Sequence, residues 1–416
     1  MKLLLKIFFS LTILMSFSSV KADTIKWLHL FGEDSSSYAN MVRAVEEFEA
    51  KTGHTVVMQY LENESFKAKL PTMLQSNDRP DIFYSWSGGV MYDQARAGFL
   101  RDISNVVPDS YLDTVSAAAA DAFTFEGQRV GLPLQVSQVA WWYNKDLINQ
   151  AGVDVSAIKE WDDLISAVKQ IKAAGITPIC MGGKDKWPVH FLWTHLHIRN
   201  GGKGLFLESL NNGGWDRPEY IKSGEQMLEL VALDPFQKGW LAATWPDQAG
   251  FFGDGKCAMA FMGNWMYGSQ KANSSSGEGL GDDNMGMFNM PMTSGGLGDA
   301  GDTLGGINGW LFSSSAPDSA VEFIMHYVSL DIQKDDAGKG AYIPIVKGAD
   351  VSLTNPFLQQ VAQNISNSEY HQIFYDQFLG ADIGRVVNDV STDLAAGIIS
   401  AEEATQAVQE AWEFNQ

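Results

Sequence analysis

The feature that most constrains the fold is an alternation of strand and helix patterns near the start of the chain. Residues 24–30 and 56–60 are predicted to form strands, with an amphipathic helix between them that ends at Gly53. The apolar stripe of this helix consists of Met41, Val42, Val45 and Phe48. A strand, a helix and a second strand in this order predict a parallel pair, so we expect an α/β fold.

A second layered region begins after Leu132 and Pro133. Residues 136–143 are predicted to form a strand, and residues 161–173 form an amphipathic helix that Gly175 ends. The 416 residues exceed the roughly 250 to 300 at which one hydrophobic core usually stops growing. We therefore expect two lobes, each a mainly parallel sheet flanked by helices.

The first 22 residues have the pattern of a cleaved export signal. Lys2 and Lys6 provide a positive start, residues 7–20 are apolar, and Ala22 ends a small-residue cleavage motif. The apolar run is shorter than the roughly 20 residues that span a bilayer. Because the signal contains no cysteine that could accept a lipid, we expect a protein that is free in the periplasm.

Two cysteines, Cys180 and Cys257, are present in the whole chain. One pair excludes a small scaffold held together by many disulfides. An oxidising compartment would allow the two to form a bridge, and two buried thiols are the alternative. The sequence leaves both possibilities open.

Composition narrows the class of partner. The formal net charge of −21 argues against nucleic acid and against anionic lipid, because both are polyanions. Aromatic residues make up 12% of the chain and include 13 tryptophans, which suggests flat apolar surfaces used for recognition as well as for packing.

The sequence motifs that would indicate an enzyme or a nucleotide-binding site are incomplete, wrongly spaced or absent. Residues 250–257 approach a phosphate-binding loop but lack the final Ser or Thr and precede a predicted strand instead of a helix. His195 and His197 are two residues apart, which on a helix points them in different directions and excludes a shared metal. No nucleophile elbow or zinc-protease motif occurs. A pair of acids that cleaves glycosidic bonds stays open as an alternative.

Several segments in a fixed order resemble the family 1 extracellular solute-binding proteins of bacterial ABC sugar importers, the group that contains the maltose-binding protein. These segments are residues 79–84 (RPDIFY), 131–135 (GLPLQ), 142–147 (WYNKDL), 255–259 (GKCAM) and 305–307 (GGI). The resemblance extends over essentially the whole chain after the signal. It implies a two-lobed fold of discontinuous sequence joined by three hinge crossings.

The resemblance also implies where the lobes divide. We expect one lobe to contain residues 23–132 and 309–341, and the other to contain residues 133–308 and 342–416. The crossings would lie near residues 132–135, 306–310 and 341–345, with a ligand cleft between the lobes.

The function implied is capture of a neutral mono- to trisaccharide, which is handed to the membrane subunits of an ABC importer without chemical change. Trp86 and Trp265 would stack on the sugar, while Glu33, Gln135 and Asn308 would contact its hydroxyl groups. The complete set of candidate ligand-binding residues is Glu33, Trp86, Ser87, Gln135, Trp187, His190, Asn264, Trp265, Asn308 and Asp376. No catalytic residue, metal or cofactor is expected, and the protein is expected to be a monomer. An anionic sugar is the other possible ligand, since Lys184 or Lys186 could pair with its charge. The alternative function is that of a periplasmic carbohydrate-cleaving enzyme.

Overall fold

The structure is a computed structural model that describes residues 22–416. The predicted export signal lies outside these residues, apart from Ala22 at its end. Within residues 22–416, no helix combines the length and the apolarity needed to cross a membrane.

Strands and helices alternate at the start of the chain, as the sequence predicts, and runs of consecutive helices occur further along. The strands are β1 Thr24–His29, β2 Thr55–Tyr60, β3 Ile82–Ser85, β4 Thr124–Phe125, β5 Gln128–Arg129, β6 Gly131–Asn144, β7 Met259–Gly263, β8 Met285–Phe288, β9 Thr303–Phe312, β10 Ile343–Pro344 and β11 His371–Ile373. The helices are α1 Tyr38–Thr52, α2 Asn63–Gln75, α3 Gly89–Arg96, α4 Asp109–Leu112, α5 Ala117–Asp121, α6 Lys145–Ala151, α7 Trp161–Ala173, α8 Trp187–Asn212, α9 Pro218–Val231, α10 Trp245–Gly253, α11 Met266–Ala272, α12 Asp318–Tyr327, α13 Leu330–Gly338, α14 Pro356–Asn367, α15 Tyr375–Phe378, α16 Ala381–Ala395 and α17 Ala401–Phe414. The α/β class is confirmed.

Two separate hydrophobic cores account for two lobes. The first core contains residues from 25–134, 310–332 and 342–349. The second contains residues from 139–304 and 353–408, together with Ala337 and Ile343. We call the residues around these cores the first lobe and the second lobe. Trp86 and Val136 pack against both cores.

Two long strands connect the lobes. The first half of β6 pairs with β9 from Gly131 opposite Leu311 to Gln138 opposite Gly305. The second half of β6 pairs with β7 and β8 in the second lobe, whereas the end of β9 pairs with β3 in the first lobe. The short strand β10 pairs with the same half of β6, with Ile343 opposite Val136. Each lobe is thus built around a part of the same two strands.

The strand pairing is mixed, which corrects the expectation of mainly parallel sheets. β1 is parallel to β2 and β3, as the first helical crossover predicts. However, β9 is antiparallel to β3 and to β6, and β6 is antiparallel to β7 and β8. The physical reason is that β6 and β9 run between the lobes in opposite directions, and β9 is parallel to β11 at its start but antiparallel to β3 at its end.

A buried glutamine holds two connections between the lobes together. The Gln333 side chain donates to the carbonyl of Leu134 in β6 at 3.0 Å and accepts from the backbone N–H of Ile345 at 2.8 Å. Gln333 is fully buried, so these bonds replace water at both of its polar atoms. A side chain of helix α13 therefore joins β6 to the segment that follows β10.

Cys180 and Cys257 form a disulfide bridge, with their Cα atoms 5.5 Å apart. The bridge links two neighbouring backbone segments of the second lobe, because the Cys180 N–H also donates to the carbonyl of Met259. Both cysteines are completely buried. The structure thus decides between the two possibilities that the sequence leaves open.

Candidate functional site

A cavity of about 240 Å³ lies between the two lobes. Both lobes and both long strands contribute to its walls. The lining residues are Leu30, Phe31, Asn63, Lys67, Tyr84, Trp86, Gln135, Trp187, Phe191, Trp245, Trp265, Asn308, Phe374, Asp376 and Gln377. Eight of these fifteen residues are aromatic, so the cavity has large flat apolar walls interrupted by a few polar groups.

The first lobe reaches the cavity at the carboxyl ends of its parallel strands. Leu30 and Phe31 follow β1, and Tyr84 and Trp86 lie at the end of β3. Asn63 and Lys67 belong to the first turns of helix α2, which follows β2. This is the edge at which α/β sheets generally bind ligands, because the loops that follow neighbouring parallel strands converge there.

The second lobe contributes a continuous aromatic wall. Trp187 and Phe191 are one turn apart at the start of helix α8. The ring of Trp187 lies 5.7 Å from that of Trp245 and 6.3 Å from that of Trp265, measured between centroids. Phe374 closes the wall at 6.1 Å from Trp265. These separations are those of interacting aromatic pairs, so the rings hold one another in position.

The two long strands place polar side chains at the base of the cavity. Gln135 of β6 lies directly opposite Asn308 of β9 in the sheet. The Gln135 amide donates to the Tyr84 hydroxyl at 3.1 Å, and burial raises the pKa of Tyr84, which keeps that hydroxyl neutral. Among the described residues, the buried Oδ1 atom of Asn308 has no hydrogen-bond partner.

A carboxylate forms part of the cavity wall in the second lobe. Asp376 is buried, and its Oδ2 atom accepts from Gln377 at 3.2 Å and from Asn388 at 3.4 Å. Its Oδ1 atom lies 3.7 Å from Nε2 of His190, which is completely buried behind it. Burial lowers the pKa of His190. A neutral imidazole therefore packs behind the carboxylate.

One direct contact crosses the cavity rim between the lobes. The indole N–H of Trp187 donates to Glu64 of helix α2 at 3.1 Å. Lys67, one turn further along α2, places its ammonium 5.4 Å from the ring centre of Trp86 and 5.6 Å from that of Trp187. These distances are within the range of cation–π attraction. Burial raises the pKa of Glu64, and the nearby Lys67 lowers it.

A family model described as bacterial extracellular solute-binding protein matches residues 32–334, which is more than half of the chain. The chain belongs to this family. Membership makes the chain a solute-binding protein and implies that it is exported.

Curated relatives of this solute-binding protein match part of its sequence. An uncharacterized ABC transporter extracellular-binding protein of Pyrococcus horikoshii is 25% identical over 210 residues, which covers 50% of this chain and 47% of the relative. The multiple sugar-binding protein of Streptococcus mutans is 22% identical over 265 residues and is covered to 59%. The chain thus spans about half the length of the curated relatives it matches.

Solved structures match nearly the whole of this solute-binding protein. A structure from a study of xylan utilization by Caldanaerobius polysaccharolyticus superimposes with a TM-score of 0.86 at 24% identity, covering 93% of this chain and 99% of that one. A chitin oligosaccharide binding protein gives a TM-score of 0.85 at 23% identity, with 94% and 98% covered. At these identities the matches establish the two-lobed fold.

The cavity of this solute-binding protein brings together six of the ten residues predicted from the sequence. These are Trp86, Gln135, Trp187, Trp265, Asn308 and Asp376. Ser87, His190 and Asn264 are buried in the surrounding structure without lining the cavity. Asn264, for example, accepts from the backbone of Gln138 and so fastens β6 to the turn before Trp265. Glu33 is exposed on its loop and is not brought to the cavity, whereas its neighbour Phe31 is.

Sequence reasoning missed nine residues of the cavity wall in this solute-binding protein. They are Leu30, Phe31, Asn63, Lys67, Tyr84, Phe191, Trp245, Phe374 and Gln377. Two local signals could have found some of them. Tyr84 precedes Trp86 by two residues and therefore points to the same side of the extended chain. Phe191 follows Trp187 by four residues, the spacing that puts both on one helix face.

Proposed function

We propose that this protein captures a neutral mono- to trisaccharide in the cavity between its lobes and delivers it to an ABC importer. The observation that carries the proposal is the aromatic cavity with hydrogen-bonding groups at its base. The C–H faces of a sugar ring pack on aromatic rings, and each sugar hydroxyl is both a donor and an acceptor. Trp265 and Asn308 offer these two kinds of contact within one cavity.

The names of similar proteins support a sugar as the solute. A relative in Mesorhizobium japonicum, 26% identical over 189 residues, is described as a probable sugar-binding periplasmic protein. Among similar solved structures, one is a receptor described as preferring β-D-galactopyranose, and another is bound with α-D-tagatose. We infer the same class of ligand, a small carbohydrate, for this chain.

Six residues are proposed to contact the sugar. Trp86, Trp187 and Trp265 would provide stacking faces, and Gln135, Asn308 and Asp376 would exchange hydrogen bonds with hydroxyl groups. Support comes from their position on the wall of one cavity. His190 and Asn264 are proposed to act from behind, by positioning Asp376 and the segment before Trp265.

We propose that the lobes close on the sugar about the three crossings. The proposed division is the one predicted from the sequence, residues 23–132 with 309–341 and residues 133–308 with 342–416. The third crossing extends further toward residue 349, since residues 342–349 still contribute to the first core. Contacts from both lobes form together only in the closed state, so the ligand's greater affinity for that state drives closure.

The proposed setting is the periplasm, reached through a cleaved signal at residues 1–22. The protein would act there as a monomer and dock on the membrane subunits of an ABC importer. Loaded and empty forms would differ in shape, which would allow the importer to distinguish them.

A thermal-shift screen over common mono-, di- and trisaccharides tests the proposal. A ligand present at 100 times its Kd adds about 2.7 kcal/mol to the free energy of unfolding, so only the cognate sugars should raise the melting temperature. Chromatography of the incubated sugars checks that they are returned unchanged. The proposal is wrong if no sugar shifts the transition, or if cleavage products accumulate.

A further inference from the structure

A second and larger cavity, of about 660 Å³, adjoins the first on the side of helix α2. The two cavities share the lining residues Lys67, Tyr84, Trp86, Asp376 and Gln377. Residues that line two neighbouring cavities form the partition between them. We call the smaller cavity the inner compartment and the larger one the outer compartment.

Lys67 spans the partition. Its ammonium is placed between the rings of Trp86, in the first lobe, and Trp187, in the second. Glu64, which the indole N–H of Trp187 also contacts, lies 3.5 Å from the same ammonium. Glu64 lines only the outer compartment and Trp187 only the inner one, so Lys67 stands between the two spaces. Three groups, two from the first lobe and one from the second, thus hold the lysine across the cleft.

The two compartments differ in the chemistry of their walls. The inner one is mostly aromatic. The outer one contains more charged residues, and some of these are paired with one another. Asp389 accepts from Lys186 at 2.6 Å and from Arg385 at 3.2 Å. The outer compartment is thus less aromatic than the inner one, since Phe66, Tyr84 and Trp86 are its aromatic lining residues and the last two belong to the partition.

We propose that Lys67 determines ligand length by confining the bound sugar to the inner compartment, which takes a single ring. The proposal rests on the proposed function and narrows its ligand to a monosaccharide. A volume of about 240 Å³ lies below the roughly 300 to 1,000 Å³ of pockets that hold drug-sized ligands. A second ring joined to the first would have to displace Lys67 from its two indole faces and from Glu64.

The experiment is a calorimetric titration with sugars of one, two and three rings. Suitable series are glucose, cellobiose and cellotriose; glucose, maltose and maltotriose; and xylose, xylobiose and xylotriose. We expect the natural protein to bind one monosaccharide at least about tenfold more tightly than any disaccharide built from it, because the partition would then have to open.

Three variants separate the effect of bulk, of charge and of the helix itself. Lys67→Ala opens the partition and should reduce the preference for one ring by about tenfold. Lys67→Met keeps the bulk but removes the ammonium that Trp86, Trp187 and Glu64 contact, so it should keep only part of the preference. Lys69→Ala, which removes an exposed lysine two residues along the same helix, should behave as the natural protein does. Circular dichroism and thermal unfolding establish that each variant is folded.

The possible failures can be told apart. Tighter binding of a di- or trisaccharide by the natural protein would overturn the length limit while leaving sugar capture intact. An unchanged preference in a folded Lys67→Ala variant would remove Lys67 from this role. If no sugar in the series or in the wider screen binds, then the proposed function fails and the length limit fails with it.

Discussion

The carboxylate of Asp93, in the first lobe, accepts a hydrogen bond of 3.3 Å from the backbone N–H of Ala381, the first residue of helix α16 in the second lobe. The residue before this helix, Gly380, has no side chain that could cap it, and a Cβ atom there would lie 3.0 Å from the same carboxylate. The free N–H groups and the dipole at a helix start favour a negative charge. One lobe therefore caps a helix of the other.

This contact should stabilise the closed state without touching the ligand. We expect Asp93→Ala to weaken sugar binding about two- to fivefold, since an N-terminal cap contributes about 0.5 to 2 kcal/mol and this one is partly exposed. Titration calorimetry measures the affinity, and small-angle scattering should show a larger radius of gyration for the variant at subsaturating sugar. Asp121→Ala, at another exposed carboxylate of the first lobe, is the control. Equal affinities in the two variants would contradict this role for Asp93.

Trp265 should be a major source of sugar affinity. Its ring lies over Gly263, where any Cβ would collide with it, and it contacts the other aromatic residues of the wall. Trp265→Ala should cost about 1 to 3 kcal/mol of binding free energy in calorimetric titration. Trp412→Phe, which alters a tryptophan of the second lobe outside the cavity, should leave the affinity unchanged. Full affinity in a folded Trp265→Ala variant would make Trp265 a packing residue only.

The disulfide should contribute substantially to stability. It joins residues 77 positions apart, and a closed loop of that length restricts the unfolded chain by about 4 kcal/mol in the chain-entropy treatment. Urea unfolding of the Cys180→Ala, Cys257→Ala double variant should show a lower free energy of unfolding by about this amount. Reductant should destabilise the natural protein but not the double variant. Equal midpoints for the oxidised protein and the double variant would refute the effect.

Acid should destabilise the fold through its buried histidines. Burial lowers the pKa of His29 and His371 to about 4 and that of His197 to about 3. Between the ordinary histidine pKa of about 6.5 and these values, only the unfolded chain binds the protons. Stability is therefore complete above pH 6.5 and falls as the pH is lowered, by up to about 1.4 kcal/mol per pH unit for each histidine.

Carboxyl groups whose pKa is raised by burial work in the opposite direction, and Asp336 is the one that titrates nearest to neutral pH. Burial raises the pKa of Asp336 to about 6, so the folded state binds its proton first and gains stability as the pH falls below that value. Between pH 7 and pH 5 the three histidines should outweigh Asp336, so we expect a net loss of stability. Urea unfolding at pH 7, 6 and 5 measures the slope, and His197→Phe should reduce it by about one proton. If the free energy of unfolding of His197→Phe changed with pH as steeply as that of the natural protein, His197 would be protonated in the folded state.

The local order of the chain was readable from the sequence. The first strand, helix and strand follow from spacings of two and 3.6 residues, and the observed β1, α1 and β2 agree with them. The family landmarks placed Gln135 and Asn308 in the crossings, where β6 and β9 put them side by side. These features depend on neighbours a few residues apart, so the sequence carries their signal directly.

The tertiary structure decided which side chains meet. Lys67, Asp376 and Trp187 are far apart in sequence and adjoin only because three crossings fold the lobes together. Glu33 and Phe31 are two residues apart on one loop, yet only Phe31 reaches the cavity, because the path of the loop sets the direction of each side chain. The disulfide and the cap by Asp93 likewise depend on distances in space. By itself the sequence determined the family, the two-lobed α/β plan and the aromatic character of the site, whereas the shape of the cavity came from long-range packing, which no local spacing encodes.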